Sequence, residues 1–225
     1  MLRHAARYSS ILLCLVSLSA WSGVEIGGSR IVYEGSSRQA SISVSNPDER
    51  PYLVQAWVNK NVNSDDNDQT FIATPPLFRL EPHSQNSVRV VYTGKPLPMD
   101  RESVYWLNIK TIPSTDRDAR NQLLITVKSK MKLFFRPDGL KGEPQEAVSR
   151  IAFRDRGGML VVDNPTPYNV SFYDLTIGGK KIDQVPMAAP LQETPVKQPF
   201  KAGQVITWRA INDFGGISKQ YKTKI

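Results

Sequence analysis

Short runs of alternating apolar and polar residues recur along most of the chain, whereas a helical period is hard to find. Residues 42–44 alternate with serines ahead of an Asn-Pro-Asp turn, and residues 88–92 alternate again. Further β-rich runs cover 52–58, 104–112, 123–135, 160–162, 170–177 and 205–211. Strands at this spacing, separated by turn residues, are typical of β-sandwiches. The pattern therefore predicts an all-β chain.

One segment interrupts the pattern and predicts a domain boundary. Residues 136–144 read Arg-Pro-Asp-Gly-Leu-Lys-Gly-Glu-Pro, a sequence rich in turn residues. The rest of the chain is long enough for about two domains of ordinary size. We therefore expect one sandwich over residues 23–140 and a second over residues 141–225.

The first 22 residues have the features of a secretory signal peptide. Arg3 and Arg7 precede a short apolar run over 11–18, and small residues surround a plausible cleavage site before Gly23. The apolar run is too short for a transmembrane helix, and no later stretch approaches the length of one. The single cysteine, Cys14, lies in the run after Leu12 and Leu13, which disfavours a lipid anchor. The mature fold would therefore need no disulfide.

The charge of the chain narrows the class of partner. The formal charge of +8 falls to near +6 when Arg3 and Arg7 leave with the signal. A basic protein favours an anionic or carboxylate-bearing partner, although much of this charge would simply be solvated. Export argues against nucleic acid as that partner.

The residues that enzymes need are scarce. His83 is the only histidine after the signal segment, no cysteine nucleophile remains, and no phosphate-binding glycine loop is present. The acidic stretch over 65–68 lacks the glycine and the terminal glutamate of a calcium loop. We therefore expect a protein that is not an enzyme and that uses no cofactor or metal.

The run over 123–135 is the most informative one. Alternation places Leu123, Ile125 and Val127 on one face of a strand, with Thr126 and the lysines at 128, 130 and 132 on the other. One interpretation is an ordinary half-buried strand with a solvated face, or an edge that lysines protect. The other is an edge strand that offers its apolar row to a partner lacking a strand.

Five motifs in order give the chain a family resemblance. The most specific is Leu-Pro-Met-Asp-Arg-Glu-Ser-Val-Tyr-Trp-Leu-Asn-Ile-Lys-Thr-Ile-Pro over 97–113. The others lie at 73–76, 132–137, 164–168 and 211–215. With these, the chain resembles the PapD-like periplasmic pilus chaperones of the chaperone–usher pathway. The short connection over 113–122 resembles their short-loop subclass. The resemblance implies two immunoglobulin-like sandwiches arranged like a boomerang.

The resemblance also implies roles for individual residues. Arg30 and Lys132 match the cleft residues that hold the C-terminal carboxylate of a client subunit. The apolar row Leu123, Ile125 and Val127 matches the donor strand that fills the client's open groove. A third set matches an ion-pair network between the domains: Glu102, Arg136 and Asp213.

The implied partners are pilus subunits and the outer-membrane usher, in the periplasm, without ATP and without insertion into the membrane. Whether the free protein caps itself as a homodimer is left open by the sequence. Two other functions compete with that of a chaperone. A pilin or adhesin is normally a shorter, single domain, often with a disulfide, and a secreted hydrolase would need a catalytic constellation that the sequence lacks.

Overall fold

The computed structural model describes residues 23–64, 66, 68–115 and 123–225. The predicted signal segment, its cleavage site and the connection at 116–122 lie outside the described residues. Sixteen strands and one helix occur in the described part. The first domain contains β1 (Glu25–Ile26), β2 (Arg30–Glu34), β3 (Ala40–Asn46), β4 (Tyr52–Asn59), β5 (Phe71–Thr74), β6 (Leu77–Leu80), β7 (Ser84–Tyr92), β8 (Ser103–Pro113) and β9 (Val127–Arg136). The second contains α1 (Pro144–Arg150), β10 (Ala152–Asp155), β11 (Met159–Asn164), β12 (Phe172–Ile177), β13 (Lys180–Lys181), β14 (Gln192–Pro199), β15 (Val205–Ala210) and β16 (Tyr221–Lys224).

Each domain is a sandwich of two sheets around its own core. In the first, a sheet of order β1-β3-β7-β5 faces one of order β2-β9-β8-β4-β6. Alternate residues of these strands point inward and form one apolar cluster, which includes Val44, Phe71, Leu107 and Leu133. In the second, sheets of order β10-β11-β14 and β13-β12-β15-β16 enclose a separate cluster. The predicted all-β fold class is confirmed.

Eight of the sixteen strands were not among the predicted runs: β1, β2, β5, β6, β10, β13, β14 and β16. Helix α1 and the start of β9 also differ from the sequence-based expectation. Helix α1 was not predicted, because its seven residues are too few to show a 3.6-residue period. Proline is favoured in the first turn of a helix, and here Pro144 starts α1 while Ala147 and Val148 are buried. The strand expected from residue 123 begins at Val127, because no strand of the described part pairs with residues 123–126.

The chain changes sheets between β1 and β2, and this change positions the later site. β1 pairs with β3 in one sheet, whereas β2 pairs with β9 in the other, in parallel. The crossing is tight, since Gly27 N donates a hydrogen bond to Ser43 O over 2.9 Å. A Cβ on Gly27 would lie 2.0 Å from Ser43 Oγ, so a larger residue there would require the Ser43 hydroxyl to move. β2 therefore begins at Arg30, opposite Lys132 of β9.

Among the described residues, no helix is long and apolar enough to cross a membrane.

Candidate functional site

The apolar row of residues 123, 125 and 127 is exposed to solvent. Leu123 is 87% exposed and Ile125 is 66% exposed, and Val127 is also exposed at the start of β9. Within β9, alternation puts Val127 on the same face as Met131 and Leu133, which are buried in the first core. The exposed row is thus the outward continuation of a core-facing row. A contiguous exposed apolar row is a candidate interaction site.

One edge of this part of β9 pairs with no strand of the described part. β9 lies between β8 and β2, but β2 pairs only with residues 132–136. Residues 127–131 pair with β8 on one side, and no strand of the described part covers their other side. An uncovered strand edge offers backbone N–H and C=O groups to an incoming strand. An apolar row and an open edge therefore occur together.

Arg30 and Lys132 lie at the point where β2 closes this edge. They are direct partners in the parallel register of β2 and β9. Arg30 Nη1 donates a hydrogen bond to the carbonyl oxygen of Ile211, in the second domain, over 3.0 Å. Its Nε is buried and has no hydrogen-bond partner among the described residues. Lys132 Nζ lies 5.8 Å from the centre of the Trp106 ring.

The surroundings of both cations destabilise their charged forms. Burial lowers the pKa of Arg30, and the nearby charge of Asp213 only partly offsets this effect. Burial lowers the pKa of Lys132 as well, and the positive charge of Arg30 lowers it further. Within the described ranges, neither side chain forms a salt bridge with a carboxylate. Two adjacent, partly buried cations that form no salt bridge with any described residue make a site suited to a carboxylate, which a guanidinium can grip with two hydrogen bonds.

A second cluster joins the two domains around Arg136, the last residue of β9. Arg136 Nη2 lies 2.8 Å from Glu102 Oε1, and its Nη1 lies 2.9 Å from Asp213 Oδ2. Glu34 also contacts Nη1, at 3.2 Å. The structure thus brings Glu102, Arg136 and Asp213 together. Burial alone would lower the pKa of Arg136. The hydrogen bonds to Asp213 and Glu102 and the negative charges of both residues outweigh burial, so the pKa of Arg136 lies above its ordinary value.

Glu102 is the buried member of this cluster. It is 4% exposed, and burial raises its pKa in spite of the partners that stabilise its charge. Those partners come from both domains. Its Oε2 accepts hydrogen bonds from the backbone N of Asn169 at 2.8 Å and from Asn169 Nδ2 at 3.1 Å, while Arg136 holds Oε1. The backbone N of Glu102 donates to Pro167 O over 2.9 Å.

Sequence reasoning missed several members of these clusters. Asn169 directly follows the motif at 164–168, so its position beside a family landmark was the available signal. Glu34 had no such signal. The Ile211 carbonyl that holds Arg30 could not be found from residue types, because every residue has a backbone carbonyl.

Comparisons with known protein families match both halves of the chain. Residues 23–141 match the family described as "Pili and flagellar-assembly chaperone, PapD N-terminal domain". Residues 146–222 match "Pili assembly chaperone PapD, C-terminal domain". The two matches leave only a short stretch between them, which includes the start of α1.

Individual relatives agree with the family matches. The chain is 37% identical over 212 residues to the probable fimbrial chaperone SfmC of Escherichia coli K12, covering 92% of this chain and 90% of SfmC. It is also 37% identical over 209 residues to the chaperone protein FimC of the same strain, covering 91% and 85% of the two chains. Among solved structures, a chain of the Salmonella enterica complex of SafA pilin with SafB chaperone matches with a TM-score of 0.81 and 34% identity, covering 92% of this chain and 99% of that one.

The Arg136 cluster predicts a specific loss of stability. Replacing Arg136 with Ala leaves Glu102 buried without its cationic partner, which costs about 3 kcal/mol of unfolding free energy. Urea denaturation monitored by circular dichroism measures the loss. Arg154→Ala is the matched control, since it breaks an exposed pair with Asp163 at 2.6 Å and should cost at most about 1 kcal/mol.

The loss in Arg136→Ala should also depend on pH. A carboxyl whose pKa is raised by folding stabilises the folded state below about pH 4.3, the ordinary value for Glu, and loses that contribution as pH rises through its folded pKa. Removing Arg136 raises the pKa of Glu102 further. The deficit relative to the unsubstituted protein should therefore be larger at pH 7 than at pH 5, and an equal deficit at both pH values would contradict this role for Glu102.

Proposed function

The chain belongs to the PapD family of pilus-assembly chaperones, and from this premise we propose that it caps pilus subunits by lending them the open edge of β9. The observation that carries the proposal is the exposed row Leu123, Ile125 and Val127 beside that open edge. The subunit is a sandwich that lacks its last strand, and its open groove would otherwise aggregate.

Strand direction follows from the position of the two cations. β9 runs from Val127 toward Lys132, and Lys132 lies where the open edge ends. A client strand whose C-terminal carboxylate rests on Arg30 and Lys132 therefore runs in the same direction as β9. It pairs in parallel with residues 127–131, in line with β2. Each apolar side chain of the row that enters the client's groove stabilises the complex by about 1.5–3 kcal/mol.

The clamp formed by Arg30 and Lys132 also fixes the register of this pairing. Side chains on a strand alternate with a period of two, so a slip of one residue would turn the apolar row away from the groove. A charge contact at one end of the strand prevents such a slip. The contact of Arg30 with Ile211 O makes the clamp depend on the position of the second domain.

We assign the Arg136 cluster to the orientation of the two domains, which we place at 23–140 and 141–225. Desolvation of a buried ion pair offsets much of its attraction, so the cluster contributes geometry more than net stability. The hydrogen bonds that Glu102 makes to Asn169 and Pro167 tie one domain to the other. A junction fixed in this way holds Arg30 against the second domain.

Capping is followed by transfer of the subunit to a further partner. The capped subunit passes to the outer-membrane usher, and a self-capping homodimer of the free chain would use the same apolar row. We assign the chain no catalytic step and no cofactor, since capping by strand pairing consumes no nucleotide.

The clamp predicts a loss of binding without a loss of fold. Lys132→Ala and Arg30→Ala should each abolish stable complexes with a cognate subunit, because the client's carboxylate loses one of its two cations. Co-expression with the subunit and co-purification measures binding, and circular dichroism measures the fold. Lys222→Ala, an exposed lysine on β16, is the control and should bind normally. Normal binding by Lys132→Ala would contradict the role of Lys132 in the clamp. Loss of the fold in that variant would show that Lys132 is a structural residue.

The apolar row predicts that client binding depends on one face of residues 123–127 and not on the other. Ile125→Asp would place an unpaired charge in the apolar groove of the client, so co-purification should fall to background. Thr126→Asp is the matched control, since it adds the same charge at the next exposed residue, which alternation directs to the opposite face. Equal effects of the two substitutions would show that charge alone, and not insertion of Ile125, explains the loss.

We also propose that the chain is exported to the periplasm. Cleavage before Gly23 should yield a mature chain without Cys14, because the charged start and short apolar run have the form of a signal peptide. Intact mass of the periplasmic protein measures the cleavage site. A lipidated species, or one that retains Cys14, would contradict the assignment.

A further inference from the structure

A cavity of about 270 Å³ lies at the domain junction, beside the clamp. Arg30 lines it, whereas Lys132 does not. Its apolar wall comes from both domains: Phe134, Val148, Val170, Ile211 and Phe214. An apolar cavity of roughly 150 Å³ can hold a benzene molecule, so the space here suffices for one large side chain.

The charged groups of the cavity wall are not equally available to a ligand. The carboxylates of Glu102 and Asp213 are paired with Arg136. Arg30 is different, since its guanidinium makes one hydrogen bond to Ile211 O and its buried Nε makes none with the described residues. A buried donor without a partner is costly and favours an acceptor that reaches it. The cavity therefore suits a ligand with an anionic group at Arg30 and an uncharged, apolar body.

Phe214 lines this cavity and lies on a hydrogen-bonded turn. The side-chain oxygen of Asn212 accepts hydrogen bonds from Phe214 N at 3.1 Å and from Gly216 N at 2.8 Å. Gly215, with φ of +85°, lies so close to the first domain that a Cβ there would be 3.0 Å from Ser29 Oγ. The Phe214 ring is nevertheless 93% exposed, and burial in this chain gives no reason for an aromatic residue here. Exposed aromatic side chains on a fixed backbone are typical anchors of an interface.

We propose that this cavity receives the side chain of the client's last residue while Arg30 and Lys132 hold that residue's carboxylate. The inference rests on the proposed function and adds a selection rule to it. A client that ends in a large apolar residue packs against Phe214 and the wall around Val170. A client that ends in Asp or Lys would place an unpaired charge in the cavity, where Glu102 and Asp213 already have their partner.

The test uses the mature chaperone and one cognate subunit whose last residue is changed to Leu, Gly or Asp. Pairwise competition during co-expression, followed by mass spectrometry of the purified complexes, gives the relative affinities. We expect the Leu-terminated subunit to exceed the Gly-terminated one by about tenfold and the Asp-terminated one by more, as burial of one apolar side chain requires. Equal occupancy by the three subunits would overturn the proposal.

Phe214 supplies the second arm of the test. Phe214→Ala should reduce the preference for Leu over Gly to about twofold or less, because the ring lines the cavity in which the side chain packs. Phe214→Tyr retains the ring and should keep the preference, and Tyr173→Ala removes an exposed aromatic residue elsewhere in the second domain as a further control. An unchanged preference in Phe214→Ala, or an equal loss of binding for both subunits, would remove Phe214 from the site.

The carboxylate clamp and the side-chain subsite are contradicted by different results. If Lys132→Ala binds every subunit as well as the unsubstituted protein does, the carboxylate clamp is wrong, whichever residue ends the client subunit. If that variant loses all three subunits while the unsubstituted protein binds them equally, the clamp stands and the proposed subsite falls.

Discussion

The register between β2 and β9 is the constraint on which the functional surface depends. The tight crossing at Gly27 moves the chain from one sheet to the other, so β2 starts at Arg30 and covers only the last five residues of β9. At the far end, Gly35 N donates to Arg136 O over 2.7 Å and holds the strand in place. Had β2 started earlier, it would have covered the open edge. The same register puts Arg30 opposite Lys132, so one pairing creates both the edge and the clamp.

The domain junction connects that clamp to the second sandwich. Arg30 reaches across to Ile211 O, and the Arg136 cluster reaches across to Asp213 and Asn169. Burying Glu102 at this point carries a desolvation cost, which a surface pair would avoid. The contacts of Glu102 in turn fix the relative orientation of the two domains. Since the junction cavity takes its wall from both domains, its shape depends on the same contacts.

Alternation of residue types predicted eight of the sixteen strands and the apolar row from sequence alone, because a sandwich core demands inward-facing side chains at every second position. It missed strands such as β1 and β13, whose two residues are too few to show alternation. It extended β9 too far, since Leu123 and Ile125 have the composition of a strand but no partner strand in the described part. Roles for Arg30 and Lys132 came only from the family resemblance, as a single arginine or lysine has no periodic signal. The contact of Arg30 with a backbone carbonyl and the exposure of Phe214 required the three-dimensional structure.

The central claim is that a client strand occupies the open edge of β9, and backbone amide exchange measures this most directly. Hydrogen–deuterium exchange of the chaperone, alone and with a cognate subunit, reports hydrogen bonding residue by residue. Binding should strongly protect those amides in 127–131 that point away from β8, since the others already pair with β8, with little change in β16 at the edge of the second domain. Unchanged exchange in 127–131 in a complex of full occupancy would contradict the central claim.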